Sequence, residues 1–224
     1  MVKKVRLRNF SGDHLKDFLK QYNADKVNTQ PNTEKELLSL YFNYTDPLIT
    51  YVRELNSDNV FSLGNEARAM FGHIADYRLE SGARKNLSDA YGHFRRLNID
   101  SFKIICNKFD ECLFSYLLHH FHYDYRKVQE SFLKDYSSKY FNAQKLYLAA
   151  QKKERTGSDR ISENIIAAYY NAANAYVDLF VFLQSSYKKI DKTRSKAILS
   201  LWFKLLVSGA GVLLSIVTEL GIHV

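Results

Sequence analysis

Apolar residues recur at alternating steps of three and four along most of the chain, which is the period of amphipathic α-helices. The clearest pattern lies within 86–121, and a second one begins near 165 and meets no helix-breaking residue before 196. The buried faces that these two patterns predict carry Phe102, Ile105, Phe109, Cys112 and Tyr116, then Ile165, Tyr169, Ala172, Tyr176, Leu179 and Leu183. No segment shows the strict alternation of a strand. The sequence therefore predicts an all-α fold, a cytosolic helical-bundle domain with one C-terminal transmembrane helix.

Breaks between these patterns predict the remaining helices. We expect a helix over about 60–79 that ends at Ser81 and Gly82, because glycine accepts the left-handed conformation common after a helix. A further helix is expected over about 124–155, before the polar residues 156–159.

The N-terminal part predicts shorter elements. A basic arm over 1–10 leads into a helix over about 13–23, and polar residues 24–33 predict a loop. Thr33 and Glu36 have the spacing of a capping box at the start of the next helix. Pro47 predicts that this helix is interrupted or restarted, with Asp46 as the new N-cap, and a loop is expected over 56–59.

Composition agrees with long helices in a reducing compartment. Among 224 residues only two are Pro and nine are Gly, so there are few obligatory breaks. Cys106 and Cys112, the only two cysteines, lie about 120° apart around one predicted helix and should not bridge each other. With no apolar N-terminal segment to act as a signal peptide, we expect both to be ordinary core thiols in the cytosol.

The last 28 residues, 197–224, predict a membrane span. They contain two charges, Lys204 and Glu219, and exceed the roughly 20 residues that cross a hydrocarbon core. Trp202 lies near the entry, after the basic residues Lys188, Lys189, Lys192, Arg194 and Lys196. This charge bias predicts a cytosolic domain over 1–196 and a single-pass helix over 197–224 with its C-terminus outside. The alternative is a buried C-terminal helix of the soluble domain.

Polar residues inside this predicted span share one face. At 100° per residue an arc of about 100° holds Ser200, Lys204, Ser208, Gly211, Ser215, Thr218 and Glu219. The opposite face carries Trp202, Leu206, Leu213, Ile216 and Leu220. A polar face avoids lipid, so it either packs helices of a homo-oligomer or lines a pore. Both interpretations make the protein a partner of itself in the lipid bilayer.

A net charge of +8 favours an acidic partner, and two basic segments are candidates for its binding site. Aromatic rings interleaved with basic side chains can stack on bases while pairing with phosphates. The predicted ligand-binding residues are Arg95, Arg96, His122, Tyr123, Arg126 and Lys127. The alternative for 119–127 is an aromatic helix junction packed on the core.

No metal or cofactor is expected. His119, His120 and His122 are close in sequence but lack other ligands at metal-binding spacing. There is no Gly-rich phosphate loop, no recognisable Ser-His-Asp arrangement and no paired-cysteine metal motif.

One short motif resembles an enzyme active site. Arg68 and His73 have the Arg-x4-His spacing of the HEPN-superfamily ribonucleases. Polar residues on this predicted helix and on the next one together resemble the two-helix core of HEPN-like domains in bacterial defence proteins. These residues are Glu66, Arg68, His73, His93, Arg96 and Asp100. The resemblance covers about 50 residues and implies Arg68 and His73 as catalytic residues if the chain is a ribonuclease. Ala69 departs from the family, which usually has a polar residue there.

The whole architecture resembles the membrane effectors of bacterial anti-phage and abortive-infection systems, in particular the oligonucleotide-controlled channel effector of the Hailong type. That resemblance implies a non-enzymatic homo-oligomer in the bacterial inner membrane, gated by a nucleotide or single-stranded oligonucleotide. The alternatives are a membrane-tethered HEPN-like ribonuclease and a passive scaffold whose last helix only anchors it.

Overall fold

A computed structural model of the chain describes residues 12–55, 60–80, 82–120, 132–156 and 164–186. Within these ranges all regular structure is helical, so the predicted all-α fold is confirmed. The helices are α1 (Gly12–Gln21), α2 (Ala24–Asn28), α3 (Glu34–Leu40), α4 (Asp46–Leu55), α5 (Val60–Leu79), α6 (Arg84–His120), α7 (Phe132–Thr156) and α8 (165–186).

Helix α6 is the longest helix described, with 37 residues and a length of about 55 Å. Its predicted stripe is confirmed, since Phe102, Ile105, Phe109 and Cys112 are buried. The side chain of Tyr116 lies outside the described residues.

Helix α8 is buried along the predicted face. Its six stripe residues are all at most 3% exposed: Ile165, Tyr169, Ala172, Tyr176, Leu179 and Leu183. Full burial of a large apolar side chain contributes about 1.5–3 kcal/mol. This helix is therefore part of the main core, which it shares with α1, α6 and α7.

Tyrosine hydroxyls connect α7 and α8 to polar groups of α6. Tyr176 donates to Asp110 Oδ1 at 2.8 Å, and Tyr147 donates to Asn107 Oδ1 at 2.7 Å. These bonds satisfy the polar end of rings whose apolar bodies fill the core. Burial and the carboxylate of Asp110 together raise the pKa of Tyr176 well above its ordinary value.

Helices α5 and α6 pack together as a hairpin. Gly82 has φ of +87°, and its N–H donates to Tyr77 O at 2.9 Å, which closes the end of α5. An L side chain rarely adopts this conformation, so the predicted glycine terminator is confirmed.

The segment 24–33 is not entirely a loop as predicted. Residues 24–28 form α2, in which Ala24 and Val27 are buried. Asn23 caps this helix by accepting from the Lys26 N–H at 2.8 Å. One helical turn with two anchoring side chains is too short to give a periodic signal.

The cap of α3 is confirmed in part. Thr33 Oγ1 accepts from the Glu36 N–H at 3.2 Å. Glu36 Oε2 accepts from the Asn32 N–H at 2.8 Å, one residue before the position that a capping box requires. The predicted return bond to Thr33 is therefore replaced by one to Asn32.

The interruption predicted at Pro47 is confirmed, since one α-helix ends at Leu40 and the next begins at Asp46, but the predicted N-cap at Asp46 is wrong. Residues 41–45 form a π-helical turn that joins α3 to α4, and Asp46 has helical φ and ψ of −63° and −45°. Proline lacks an N–H and its ring crowds the carbonyl four residues earlier. The wider π turn just before Pro47 lets the helical path continue, so Asp46 lies inside the path and is not an N-cap.

Both cysteines are buried and free, as predicted. In the part of the chain described, no helix is long and apolar enough for a membrane span. The predicted span 197–224, the loops 56–59 and 157–159, and the basic arm lie outside the described residues.

Candidate functional site at the α5–α6 interface

Two histidines from neighbouring helices stack on each other where α5 meets α6. The rings of His73 and His93 have centroids 5.3 Å apart and an angle of 21° between their planes. His73 Nδ1 is enclosed and has no hydrogen-bond partner among the described residues. An enclosed ring nitrogen without a partner is costly in a purely structural role, which makes this pair a candidate for chemistry.

Glu66 orients the second histidine. Its Oε2 lies 2.7 Å from His93 Nδ1 and 3.5 Å from Arg96 Nη1. When the His93 Nδ1–H donates to this carboxylate, Nε2 is left as the acceptor. The side chain of Glu66 is only 25% exposed and that of His93 only 18%, so solvent screens the contact between them weakly.

Helical spacing explains why these four residues meet. Glu66 and His73 are seven residues apart and lie on one face of α5, while His93 and Arg96 are three apart on one face of α6. We call this set the histidine cluster: Glu66, His73, His93 and Arg96. The packed hairpin brings the two faces together.

Asp100 lies one turn beyond Arg96, beside the histidine cluster. Lys103 Nζ is 3.5 Å from its Oδ1. Burial raises the pKa of Asp100 despite Lys103, and the charges of Glu154 and Glu66 raise it further. Negative charge is therefore concentrated at this end of the cluster, with Arg96 and Lys103 opposing it.

Arg68 does not join the histidine cluster. It is exposed and lies five residues before His73, which is about 140° around the helix. Within one chain the side chains of Arg68 and His73 therefore point in different directions, and Arg96 supplies the guanidinium beside the histidines. The linear motif could not reveal this, although the seven-residue spacing of Glu66 and His73 was a usable signal.

The basic pair Arg95 and Arg96 diverges. Arg96 is exposed at the histidine cluster, with 54% of its side chain accessible, whereas Arg95 is only 6% exposed and points toward α2. Consecutive helical residues differ by about 100° in direction, so the two guanidinium groups of this pair lie on different sides of α6.

Most of the other predicted site residues lie outside the described residues. These are the ligand-binding candidates His122, Tyr123, Arg126 and Lys127, and the stripe residues Ser200, Lys204, Ser208, Gly211, Ser215, Thr218 and Glu219. His119 and His120 end α6, but their side chains are not described. Within the described ranges no group of three or more His, Cys, Asp or Glu residues is placed to hold a metal ion.

Comparisons with protein families, with curated proteins and with solved structures give no match.

Proposed function

We propose that the protein is a homo-oligomeric membrane effector of bacterial anti-phage defence, whose last 28 residues form an ion channel or membrane-permeabilising assembly in the inner membrane. The observation that carries this proposal is the polar stripe of 197–224, in which Lys204 and Glu219 share a face with small residues. Charges inside a membrane segment usually face a bundle interior or an aqueous path.

The packing of α8 supports control by the helical domain. Tyr170 donates to Leu19 O of α1 at 2.9 Å, and Tyr169 donates to Glu154 of α7 at 2.5 Å. Together with the Tyr176–Asp110 bond, these contacts tie α8 to three other helices. A rearrangement of the domain would therefore move α8, which precedes the basic residues 188–196 and the proposed span 197–224.

A nucleotide or oligonucleotide is the proposed control signal. To act as a gate, it must bind the closed and open states with different affinity, because equal affinity shifts nothing. The charge of +8 favours a phosphate-bearing ligand of this kind.

Flux from protein-loaded liposomes tests the channel proposal. Lys204→Leu, Glu219→Leu and Gly211→Leu should each alter dye release, while Leu206→Ala on the opposite face should leave it near the wild-type value. Oligomer size is measured by crosslinking at matched protein levels. A stripe that only packs helices predicts a defect in Gly211→Leu alone, and absence of flux from every sample would favour the passive scaffold.

Deletion of 197–224 tests the membrane anchor separately. The described core lies entirely before this segment, so the truncated chain should fold and leave the membrane fraction. Its recovery with membranes would reject a single C-terminal anchor.

The histidine cluster favours a second candidate, a membrane-tethered HEPN-like ribonuclease. His93 Nε2 would take the proton of a ribose 2′-hydroxyl while the 2′-oxygen attacks the phosphorus. The P–O5′ bond then breaks, the leaving oxygen takes a proton from His73, and a 2′,3′-cyclic phosphate results. Arg96 would stabilise the charge that develops on the phosphate.

RNA cleavage by purified protein tests this candidate. His93→Asn and His73→Asn should each abolish cleavage, and Glu66→Gln should weaken it by removing the carboxylate charge beside His93. The cluster predicts that Arg68→Ala retains activity, whereas the linear motif predicts its loss. Absence of cleavage by the wild-type protein on single-stranded RNA, with and without membranes, would leave the cluster without this role.

A further inference from the structure

Arg95 places a positive charge inside the domain, at the junction of α2 and α6. Its Nη2 donates to Asn28 Oδ1 at 3.2 Å, and its Cζ lies 6.0 Å from the centroid of the Tyr91 ring. The Tyr91 hydroxyl in turn contacts Val27 O at 3.4 Å, which fixes the ring against α2. The guanidinium is therefore held in one place by groups that are all neutral.

Among the described residues no carboxylate balances this charge. The ion pairs among the described residues do not include Arg95. Its Nε is buried and has no hydrogen-bond partner in the same part of the chain. Buried arginines in folded proteins are normally paired, so an unpaired one at 6% exposure calls for an explanation.

The neutral surroundings compensate the charge only in part. Burial lowers the pKa of Arg95, yet a guanidinium remains protonated at neutral pH. A ring face and one amide oxygen offer partial charges, whereas desolvation of an ion costs several kcal/mol. An anion from outside the chain would remove this imbalance.

We propose that Arg95 and Asn28 form a binding site for one phosphate group at the α2–α6 junction. The Nε–H and Nη–H edge of a guanidinium can donate to two oxygens of the same phosphate. The Asn28 amide, whose oxygen faces Arg95, carries an NH₂ group that can donate to a third oxygen. This site is separate from the histidine cluster, because Arg95 and Arg96 diverge by about 100°.

The phosphate can be inorganic or can belong to a nucleotide. A nucleotide as the source rests on the proposed function, since the site would then be a contact for the gating ligand. The first source rests on the geometry of Arg95 alone.

Thermal unfolding of the full chain in detergent tests the site, with inorganic pyrophosphate as the probe and NaCl at equal ionic strength as the reference. We expect a saturable rise of the wild-type midpoint with pyrophosphate. Arg95→Met should lose the rise, and without anion it should unfold no lower than the wild type, because it removes an unpaired buried charge. The exposed control, Arg53→Met on α4, should keep the full rise.

Two results overturn the site. In the first, Arg95→Met responds to pyrophosphate as the wild type does. In the second, the wild type does not respond to pyrophosphate and Arg95→Met unfolds at a midpoint well below that of the wild type. If Arg95→Met does not fold, Arg95→Lys replaces it in titration calorimetry. We expect Arg95→Lys to bind pyrophosphate about tenfold more weakly, since an ammonium cannot make the two-pronged contact. Binding equal to that of the wild type contradicts the proposal.

A second arm separates the sources. A nucleoside 5′-monophosphate should compete with pyrophosphate, and the same nucleoside without the phosphate should not. If the phosphorylated form competes but leaves liposome flux unchanged, the phosphate site stands and nucleotide gating through it fails. If only pyrophosphate binds, the site serves inorganic anions.

Discussion

Asn98 and Thr45 exchange two hydrogen bonds inside the core, and both residues are 0% exposed. Asn98 Nδ2 donates to Thr45 Oγ1 at 2.9 Å, and Thr45 Oγ1 is 3.1 Å from Asn98 Oδ1. The same Oδ1 accepts from the Tyr22 hydroxyl at 2.9 Å, and Nδ2 also donates to Phe94 O at 2.8 Å. One amide therefore joins α6 to the π-helical turn and to the end of α1.

Replacement of Asn98 should be among the most destabilising single changes in the domain. Asn98→Ala leaves two buried hydroxyls, those of Tyr22 and Thr45, without this partner, and we expect a loss of about 2–4 kcal/mol in unfolding free energy. Urea unfolding followed by circular dichroism measures it. Asn107→Ala is the matched control on the same helix, because Asn107 is exposed and water can replace it as partner of Tyr147. Equal losses in the two variants would mean that the buried network contributes little.

Two glycines should respond to alanine in opposite directions. A Cβ on Gly12 would lie 2.6 Å from Phe180 Cδ1, whose ring is 1% exposed and packs on Phe109. Gly12→Ala should therefore cost about 1–3 kcal/mol through overpacking. Gly72, inside α5, has nothing within 4 Å of such a Cβ, so Gly72→Ala should stabilise by up to about 1 kcal/mol. Thermal midpoints of both variants check the pair, and stabilisation by Gly12→Ala would reject the close approach of α1 to α8.

The long helices could be predicted because their burial is periodic. The stripes from Phe102 to Cys112 and from Ile165 to Leu183 repeat over several turns, and every one of these predicted positions is buried. Helix α2 gave no such signal, since one turn with two buried residues has no period. The π-helical turn before Pro47 was also invisible, because proline alone does not show how the backbone accommodates it.

The candidate site was only partly predictable. The six residues around Glu66 and His73 were identified from their order in the sequence, and the hairpin brings four of them together. Which arginine meets the histidines depends on how α5 and α6 rotate against each other. That rotation is set by side-chain packing, which the sequence motif does not show, and it places Arg96 beside the histidines. Arg95 was grouped with Arg96 as one basic pair. Its contact with α2 could not be predicted, because that helix was not expected.

Both thiols should be inert in the folded protein. Burial raises the pKa of Cys106 strongly, with a further contribution from the charge of Asp110, and burial raises the pKa of Cys112 to about 11. At pH 8 roughly one Cys112 in a thousand is then a thiolate, which is the reactive form. Labelling with N-ethylmaleimide, read by mass spectrometry, should be slow without denaturant, with Cys112 ahead of Cys106. It should reach both residues within minutes in guanidinium chloride. Rapid labelling of the native protein would contradict the packing of α6.

Removal of the Asp100 charge should change how stability depends on pH. Burial raises the pKa of Asp100 in the folded protein above its unfolded value of about 3.9. The favourable contribution of its neutral form is therefore complete below that unfolded pKa and is lost as pH rises through the folded pKa. Asp100→Asn cannot ionise, so its unfolding free energy relative to the wild type should increase between pH 4 and pH 7.

Asp17→Asn is the control for this pH effect, because the pKa of Asp17 is shifted in the opposite direction to that of Asp100. A hydrogen bond from Lys20, together with the charge of that lysine, lowers the pKa of Asp17. Its contribution to stability is present above its unfolded pKa and is lost as pH falls, but Asp17 is exposed and the effect should be small. Urea unfolding at several pH values compares both variants with the wild type. A difference for Asp100→Asn that stays constant from pH 4 to pH 7, or decreases, would show that Lys103 outweighs the burial of Asp100 and the repulsion from Glu154 and Glu66.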